Sequence, residues 1–278
     1  MKYGSGGSSM DINQKESVYQ QAKEWVYEAG EEILSKINGP LDIQTKSNPN
    51  DLVTAVDSST EAYFASKIRN TYPSHRILSE EGYGDRLDTL EGTVWIIDPI
   101  DGTMNFIHQK RNFAISIGIY HDGVGEIGLI YDVIADILYS AKRNEGAKKN
   151  GVPLPKLDKE VNLNEAILGL NHFWLCENRI VDEKVMQGLV KTVRGTRTYG
   201  SAALEFAYVA EGIMDGYLTM QLSPWDIAAG IVIVNEVGGI TTDMEGEPIN
   251  MLLKSSVLTC HPSIHDSISK DYFKKGKK

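Results

Sequence analysis

The segment Trp95-Ile96-Ile97-Asp98-Pro99-Ile100-Asp101-Gly102-Thr103-Met104-Asn105-Phe106 carries an apolar strand directly into two carboxylates, a glycine and a threonine. Val94 to Ile97 is the short unbroken run of a strand covered on both faces, so Asp98 at its carboxyl end begins to leave water. A carboxylate in that position needs hydrogen-bond donors or a metal ion to stay ionised. Pro99 fixes φ and lacks an N–H, which predicts that the strand stops there, and Gly102 lets the backbone pass close to a ligand before a helix start. Carboxylates beside exposed amides suit a metal-held phosphate. Taken alone, Asp-Pro-x-Asp-Gly is equally ordinary turn chemistry.

Other acids also stand at the ends of regular elements, where α/β proteins place their sites. Ile77-Leu78 leads into Glu80-Glu81, Asp57 sits at a predicted helix entrance, and Asp226 falls in the first turn of another helix, where a simple cap is the alternative reading. Apolar residues at Val18, Ala22, Trp25, Ala29, Ile33 and Ile37 predict an amphipathic helix over residues 13–38. A second helix is predicted from Asp57 to Tyr72, with Ser58-x-x-Glu61 as its capping box. Runs 113–120, 125–131 and 134–140 read as antiparallel meander. In the later part, residues 200–212 predict a helix, 216–220 a strand, and 226–237 a helix ended by Gly238-Gly239. Residues 1–10 read as a disordered tag or linker. Residues 11–150 read as an α+β domain carrying most candidate ligands, and 151–278 as an α/β domain supplying Asp226 and the substrate rim.

A chain of 278 residues with 41% hydrophobic content buries a sizeable core, and it contains neither a membrane-length apolar run nor a signal peptide, so a cytoplasmic protein is expected. Cys176 and Cys260 are isolated and read as buried structural thiols. The net charge of −10 argues against a general nucleic-acid binder and suits a protein that collects divalent cations. Lys274 to Lys278 read as a solvated tail. Gly123-Val124-Gly125-Glu126-Ile127-Gly128 matches a dinucleotide fingerprint, but β-type sequence follows and no helix opens, so that reading fails. His108, His172 and His261 form no paired ligand motif and read as surface or core.

Together the motifs resemble those of the inositol monophosphatase family of magnesium-dependent, lithium-sensitive phosphatases. Asp51-Leu52-Val53-Thr54-Ala55-Val56-Asp57, Ser79-Glu80-Glu81-Gly82, Trp95 to Phe106, Gly200-Ser201-Ala202-Ala203, and Pro224-Trp225-Asp226 with Gly238-Gly239 follow in family order across nearly the whole chain. The resemblance implies a layered α-β-α-β-α sandwich of the inositol monophosphatase and fructose-1,6-bisphosphatase type, a homodimer, and two or three Mg²⁺ per site. It implies that Glu80, Asp98 and the Ile100 carbonyl hold one ion, that Asp98, Asp101 and Asp226 hold a second, and that Glu80 with waters holds a third, with Glu81 in support.

The reaction it implies is hydrolysis of a small phosphate monoester, inositol monophosphate first, by in-line attack of a metal-activated water without a phospho-enzyme. Thr103, Asp57 and Glu80 are then the catalytic residues. Asp101, the Gly102 and Thr103 amides, Gly200, Ser201, Ala202, Thr219 and Asp226 line the substrate. Many family members carry a glutamate where Thr219 stands, so the 2′-phosphate of NADP, fructose 1,6-bisphosphate and 3′-phosphoadenosine phosphates remain alternative substrates. Some bacterial members bind the transcription machinery, which leaves a regulatory role as a further alternative.

Overall fold

The computed structural model describes residues 9–45 and 52–278, so residues 1–8 of the expected tag, and Asp51 of the first motif, lie outside the described residues. Met10 does not belong with that tag: it is buried against the core just before the first helix. Helix α1 (Ile12–Lys36) is capped by Asp11 and buries the predicted stripe of Val18, Ala22, Trp25, Ala29 and Ile33. Strand β1 (Ile43–Thr45) pairs antiparallel with β2 (Leu52–Thr54). Helix α2 (Ala55–Thr71) starts ahead of the predicted entrance, because Thr54 is its cap and Asp57 closes the capping box. Glu61, expected in that box, is used elsewhere.

Strands β3 (Arg76–Ser79) and β4 (Thr93–Asp101) lead to a short helix, α3 (Thr103–Gln109). Strands β5 (Ala114–His121), β6 (Val124–Asp132), β7 (Ile137–Lys142), β8 (Ala147–Lys149) and β9 (Val152–Pro153) follow as a meander. β3 to β9 form one seven-stranded sheet in sequential order, with β3 and β4 its parallel pair. The Gly123–Gly128 segment lies on the β5–β6 hairpin, not at a helix start. β7 begins later than predicted because residues 134–136 form the turn into it, with Asp136 at φ 53°.

The remaining elements are β10 (Ile167–Leu170), α4 (Glu183–Thr192), β11 (Gly195–Arg197), α5 (Ala202–Glu211), β12 (Gly216–Leu222), α6 (Pro224–Glu236), β13 (Ile240–Thr242), β14 (Ser255–Cys260) and α7 (Pro262–Ile268). Their five strands are ordered β11-β10-β12-β14-β13. β10 runs parallel to both β11 and β12, while β14 is antiparallel to β12 and β13.

Alternation along β4 assembles the layers. Trp95 and Ile97 point into a core with α1 and α2, whereas Val94 and Ile96 point into a second core with α5 and α6. The outer face of the smaller sheet, with Leu168, Leu218 and Leu258, packs on Met186 and Leu189 of α4 and Ile264 of α7. The order of layers is therefore helices α1 and α2, the large sheet, α5 and α6, the small sheet, then α4 and α7: the expected α-β-α-β-α sandwich.

Among the described residues, no helix is long and apolar enough to cross a membrane. Cys260 is buried as expected, but Cys176 is exposed on an irregular segment. The C-terminal lysines are not a free tail. The Asp182 amide donates to the Gly276 carbonyl at 2.5 Å, Lys278 pairs with Glu183 at 2.8 Å and Lys277 with Glu245 at 2.5 Å. His108 and His172 are exposed and His261 is buried, in keeping with surface and core roles.

Candidate active site

Pro99 does not end β4. The strand continues to Asp101 through a bulge, seen as a register shift against β5 between Asp98 and Asp101. A proline is tolerated there because a bulge leaves a backbone position unpaired, and the extra residue re-aims the side chains that follow it. Asp98 and Asp101 thereby converge, and Asp226 joins them from the start of α6, just after β12 of the other sheet. Oxygen atoms of the three carboxylates all lie within 4.8 Å of one another. Asp226 is the third residue of α6, where its Oδ2 accepts the Ser223 amide at 2.7 Å in a capping box. The cap reading of Asp226 is thus correct, and its carboxylate still reaches the cluster.

Glu80 follows β3, the parallel neighbour of β4, and its charge acts on Asp98, Asp101 and Asp226. The buried carboxylate of Glu61 secures that corner, accepting from the Ser79 hydroxyl at 2.7 Å, the Glu81 amide at 2.5 Å and the Tyr83 amide at 2.8 Å. Glu81 therefore contributes its backbone to the turn that presents Glu80.

Beyond Asp101, Gly102 sits at φ 94° and opens α3. The Thr103 hydroxyl lies 3.2 Å from Asp57 Oδ1 and 3.1 Å from the Ile100 carbonyl, both acceptors for its proton. The other oxygen of Asp57 accepts the Thr54 amide at 2.9 Å and the Thr54 hydroxyl at 2.5 Å. Gly102 has no room for a side chain: a Cβ would come within 3.2 Å of Gly200 and Ser201. At the same place the Ser201 hydroxyl and the Ala203 amide, at 2.8 Å, both donate to Asp101 Oδ2.

The 199–203 loop is held from two further sides. Asn105 of α3 donates to the Tyr199 carbonyl at 2.7 Å, and Glu205 of α5 accepts the Tyr199 amide at 2.7 Å. The roles of Asn105 and Glu205 escaped the sequence reading, and Glu61 was expected there only as a capping-box acid. Only Glu205 left a signal there, as a lone carboxylate in the apolar run from Ala202 to Ala210. Of the expected rim residues, Gly200 is exposed at φ 78°, Ser201 and Ala202 are buried, and Thr219 is buried in β12 with its hydroxyl accepting the Trp174 indole N–H at 3.1 Å.

Burial, then the charges of Glu80, Asp101 and Asp226, push Asp98 well above the usual carboxylate range. Burial and Asp101 do the same to Asp226, against a weaker pull from Lys254. Asp101 is pushed up to about 6, mainly by burial, with the Ser201 and Ala203 bonds opposing. Asp57 is raised by burial, and its bonds to Thr54 and Thr103 oppose the shift. Among the described residues no lysine or arginine forms an ion pair with Asp98, Asp101 or Asp226. Converging carboxylates without a partner cation, all hard oxygen donors, suit divalent metal ions of the Mg²⁺ kind.

A strand and a helix that deliver carboxylates to one water-poor point between two sheets, with a hydroxyl–carboxylate pair beside it, define a class: layered α/β hydrolases that work on phosphate esters with metal ions. The profile of the inositol monophosphatase family matches residues 14–274, and the chain belongs to that family, as a phosphoric monoester hydrolase. It is 57% identical to the inositol-1-monophosphatase of Bacillus subtilis, over 90% of this chain and 94% of that protein. Two crystal structures of inositol monophosphatase II from Staphylococcus aureus are also similar. The one with inositol monophosphate bound is 42% identical, with a TM-score of 0.84 over 93% of this chain and 94% of that one. The one with 2′-AMP bound is 43% identical, with a TM-score of 0.85 over 93% and 95%.

Proposed function

We propose that the protein hydrolyses inositol monophosphate to inositol and phosphate with Mg²⁺, two or three ions being held by Glu80, Asp98, the Ile100 carbonyl, Asp101 and Asp226. The observation that carries this reading is the convergence of Asp98 and Asp101 of β4 with Asp226 of α6 within 4.8 Å. When bound, the ions supply the positive charge that acidifies water and stabilises the leaving alkoxide.

The chain's own groups do the rest. Thr103 and Asp57 lie 3.2 Å apart and form the pair that orients the attacking water and takes its proton, with Glu80 sharing the task. Gly102 and Thr103 direct backbone amides toward the phosphate, and a side chain at Gly102 would close the gap to Gly200 and Ser201. As the water oxygen bonds to phosphorus, the ester P–O bond breaks and the alkoxide takes up a proton. No nucleophilic serine or cysteine is needed. Asp101 serves both the ions and the substrate rim, fixed by Ser201 and Ala203.

The relatives support both an inositol phosphate and a nucleoside 2′-phosphate as substrate. The test is phosphate release with Mg²⁺ from inositol 1-phosphate, NADP, fructose 1,6-bisphosphate and 3′-phosphoadenosine 5′-phosphate, with EDTA as control. EDTA-sensitive turnover led by inositol 1-phosphate is expected; no turnover on any of them would favour a regulatory role. The working form is proposed to be a cytoplasmic homodimer, which light scattering on the purified protein tests.

A further inference from the structure

We propose that the substrate rim carries a stacking platform for a planar heterocycle, Phe173 mounted on Trp174, which admits a nucleoside 2′-phosphate alongside inositol phosphate. The proposal rests on the carboxylate cluster being the phosphate site. The parallel strands β11, β10 and β12 send their carboxyl ends to the same edge of the small sheet. β11 is followed by the 199–203 loop that caps Asp101, and β12 by Ser223 and Asp226. β10 is followed by Asn171 and the 3₁₀ turn His172–Leu175. That turn stands on the ligand side of the sheet for the same reason as the other two. The Thr198 hydroxyl, donating to the Leu170 carbonyl at 2.7 Å, ties the ends of β11 and β10 together.

The mount is rigid. Asn171 accepts the Phe173 amide at 2.9 Å, and the buried Trp174 donates its indole N–H to Thr219 at 3.1 Å. Thr219 lies two residues along β12 from Tyr217, which feels the charges of Asp101 and Asp226. Phe173 meets Trp174 edge-on, with ring centroids 5.1 Å apart, yet remains 55% exposed. A fixed ring with an open face takes a heterocycle by stacking. A cyclitol has no such face, so stacking on Phe173 favours the heterocycle alone.

The test compares wild type, Phe173→Ala and Phe173→Tyr by Mg²⁺-dependent phosphate release from adenosine 2′-phosphate and inositol 1-phosphate, and by equilibrium binding of adenosine 2′-phosphate. Phe173→Ala should raise KM and weaken binding for adenosine 2′-phosphate about tenfold. Its kcat and its constants for inositol 1-phosphate should not change, and Phe173→Tyr should behave as wild type. Equal effects on both substrates, or no effect on adenosine 2′-phosphate, would overturn the platform. If neither substrate were hydrolysed, the phosphatase reading would fail, and the binding comparison would still decide the platform by itself.

Discussion

Asp98 concentrates the chemistry in one residue. It is buried, stands beside Asp101 and Asp226, and its Oδ1 accepts the Ile100 amide at 3.0 Å, so most of its charge has to be matched from outside the chain. Asp98→Asn should lower kcat by at least about 10³-fold, because the site loses a charged ligand at its centre. Steady-state turnover at saturating Mg²⁺ is the check, and near-normal kcat would sink the assignment. Glu205 makes a different kind of claim. Its Oε2 has no hydrogen-bond partner, and burial pushes its carboxyl up to about 7 from an ordinary 4.5. The folded protein then keeps a proton that the unfolded chain has released, so this group's contribution to stability is lost as pH rises from 4.5 toward about 7. Glu205→Gln cannot titrate. Its melting temperature should therefore fall less than that of wild type across this window, and parallel curves in EDTA would refute the point.

At the scale of elements, the position of Asp226 depends on how closely α6 approaches the large sheet. Glycines make that approach possible: a Cβ on Gly118 would lie 2.6 Å from the Ala228 side chain and 2.8 Å from its backbone, and one on Gly128 would lie 2.5 Å from the Ala229 carbonyl. Gly118→Ala should push the helix outward at a cost of about 1–3 kcal/mol. Because the same shift displaces Asp226 from Asp98 and Asp101, kcat should fall as well. Denaturant midpoints and turnover measured on the same preparation test this. A stability loss with unchanged kcat would show that α6 can move without disturbing the cluster.

Across the whole molecule, the site exists only where the two sheets meet through α5 and α6. We propose the boundary near residue 150 as a division of the chain, although the helices that follow it pack against the sheet that precedes it. Bringing these halves together forces like charges into proximity, so cation binding and folding are coupled. Mg²⁺ at about 100 times its Kd should stabilise the protein by about 2.7 kcal/mol, and EDTA should reverse the gain. Because Asp98 and Asp226 are raised in pKa, they must release protons to bind, and the Mg²⁺ effect should be larger at pH 8 than at pH 6. Scanning fluorimetry across Mg²⁺ and pH is the measurement; a melting temperature indifferent to Mg²⁺ would contradict the metal site.

Periodicity and residue order were enough to determine α1, α2, α5, α6, the meander and the acids at element ends, because each depends on neighbours in the chain, while the layered class was read from the resemblance to the family. The apolar stripe of α1 and the alternating faces of β4 are legible in that way. The bulge at Pro99, Asp57 in place of Glu61 as the capping acid, and the anchored C-terminal lysines are not, since each is settled by a partner distant in sequence or by competition between two acceptable caps. The roles of Glu61, Asn105 and Glu205 also required the tertiary structure. Their hydrogen bonds span 18 residues for Glu61 with Ser79 and 94 for Asn105 with Tyr199, and the short reach of Glu205 to Tyr199 matters only because that loop meets Asp101 from across the molecule. A sequence shows which residues can ionise or donate. Which of them meet, and at what burial, is decided when the two sheets pack.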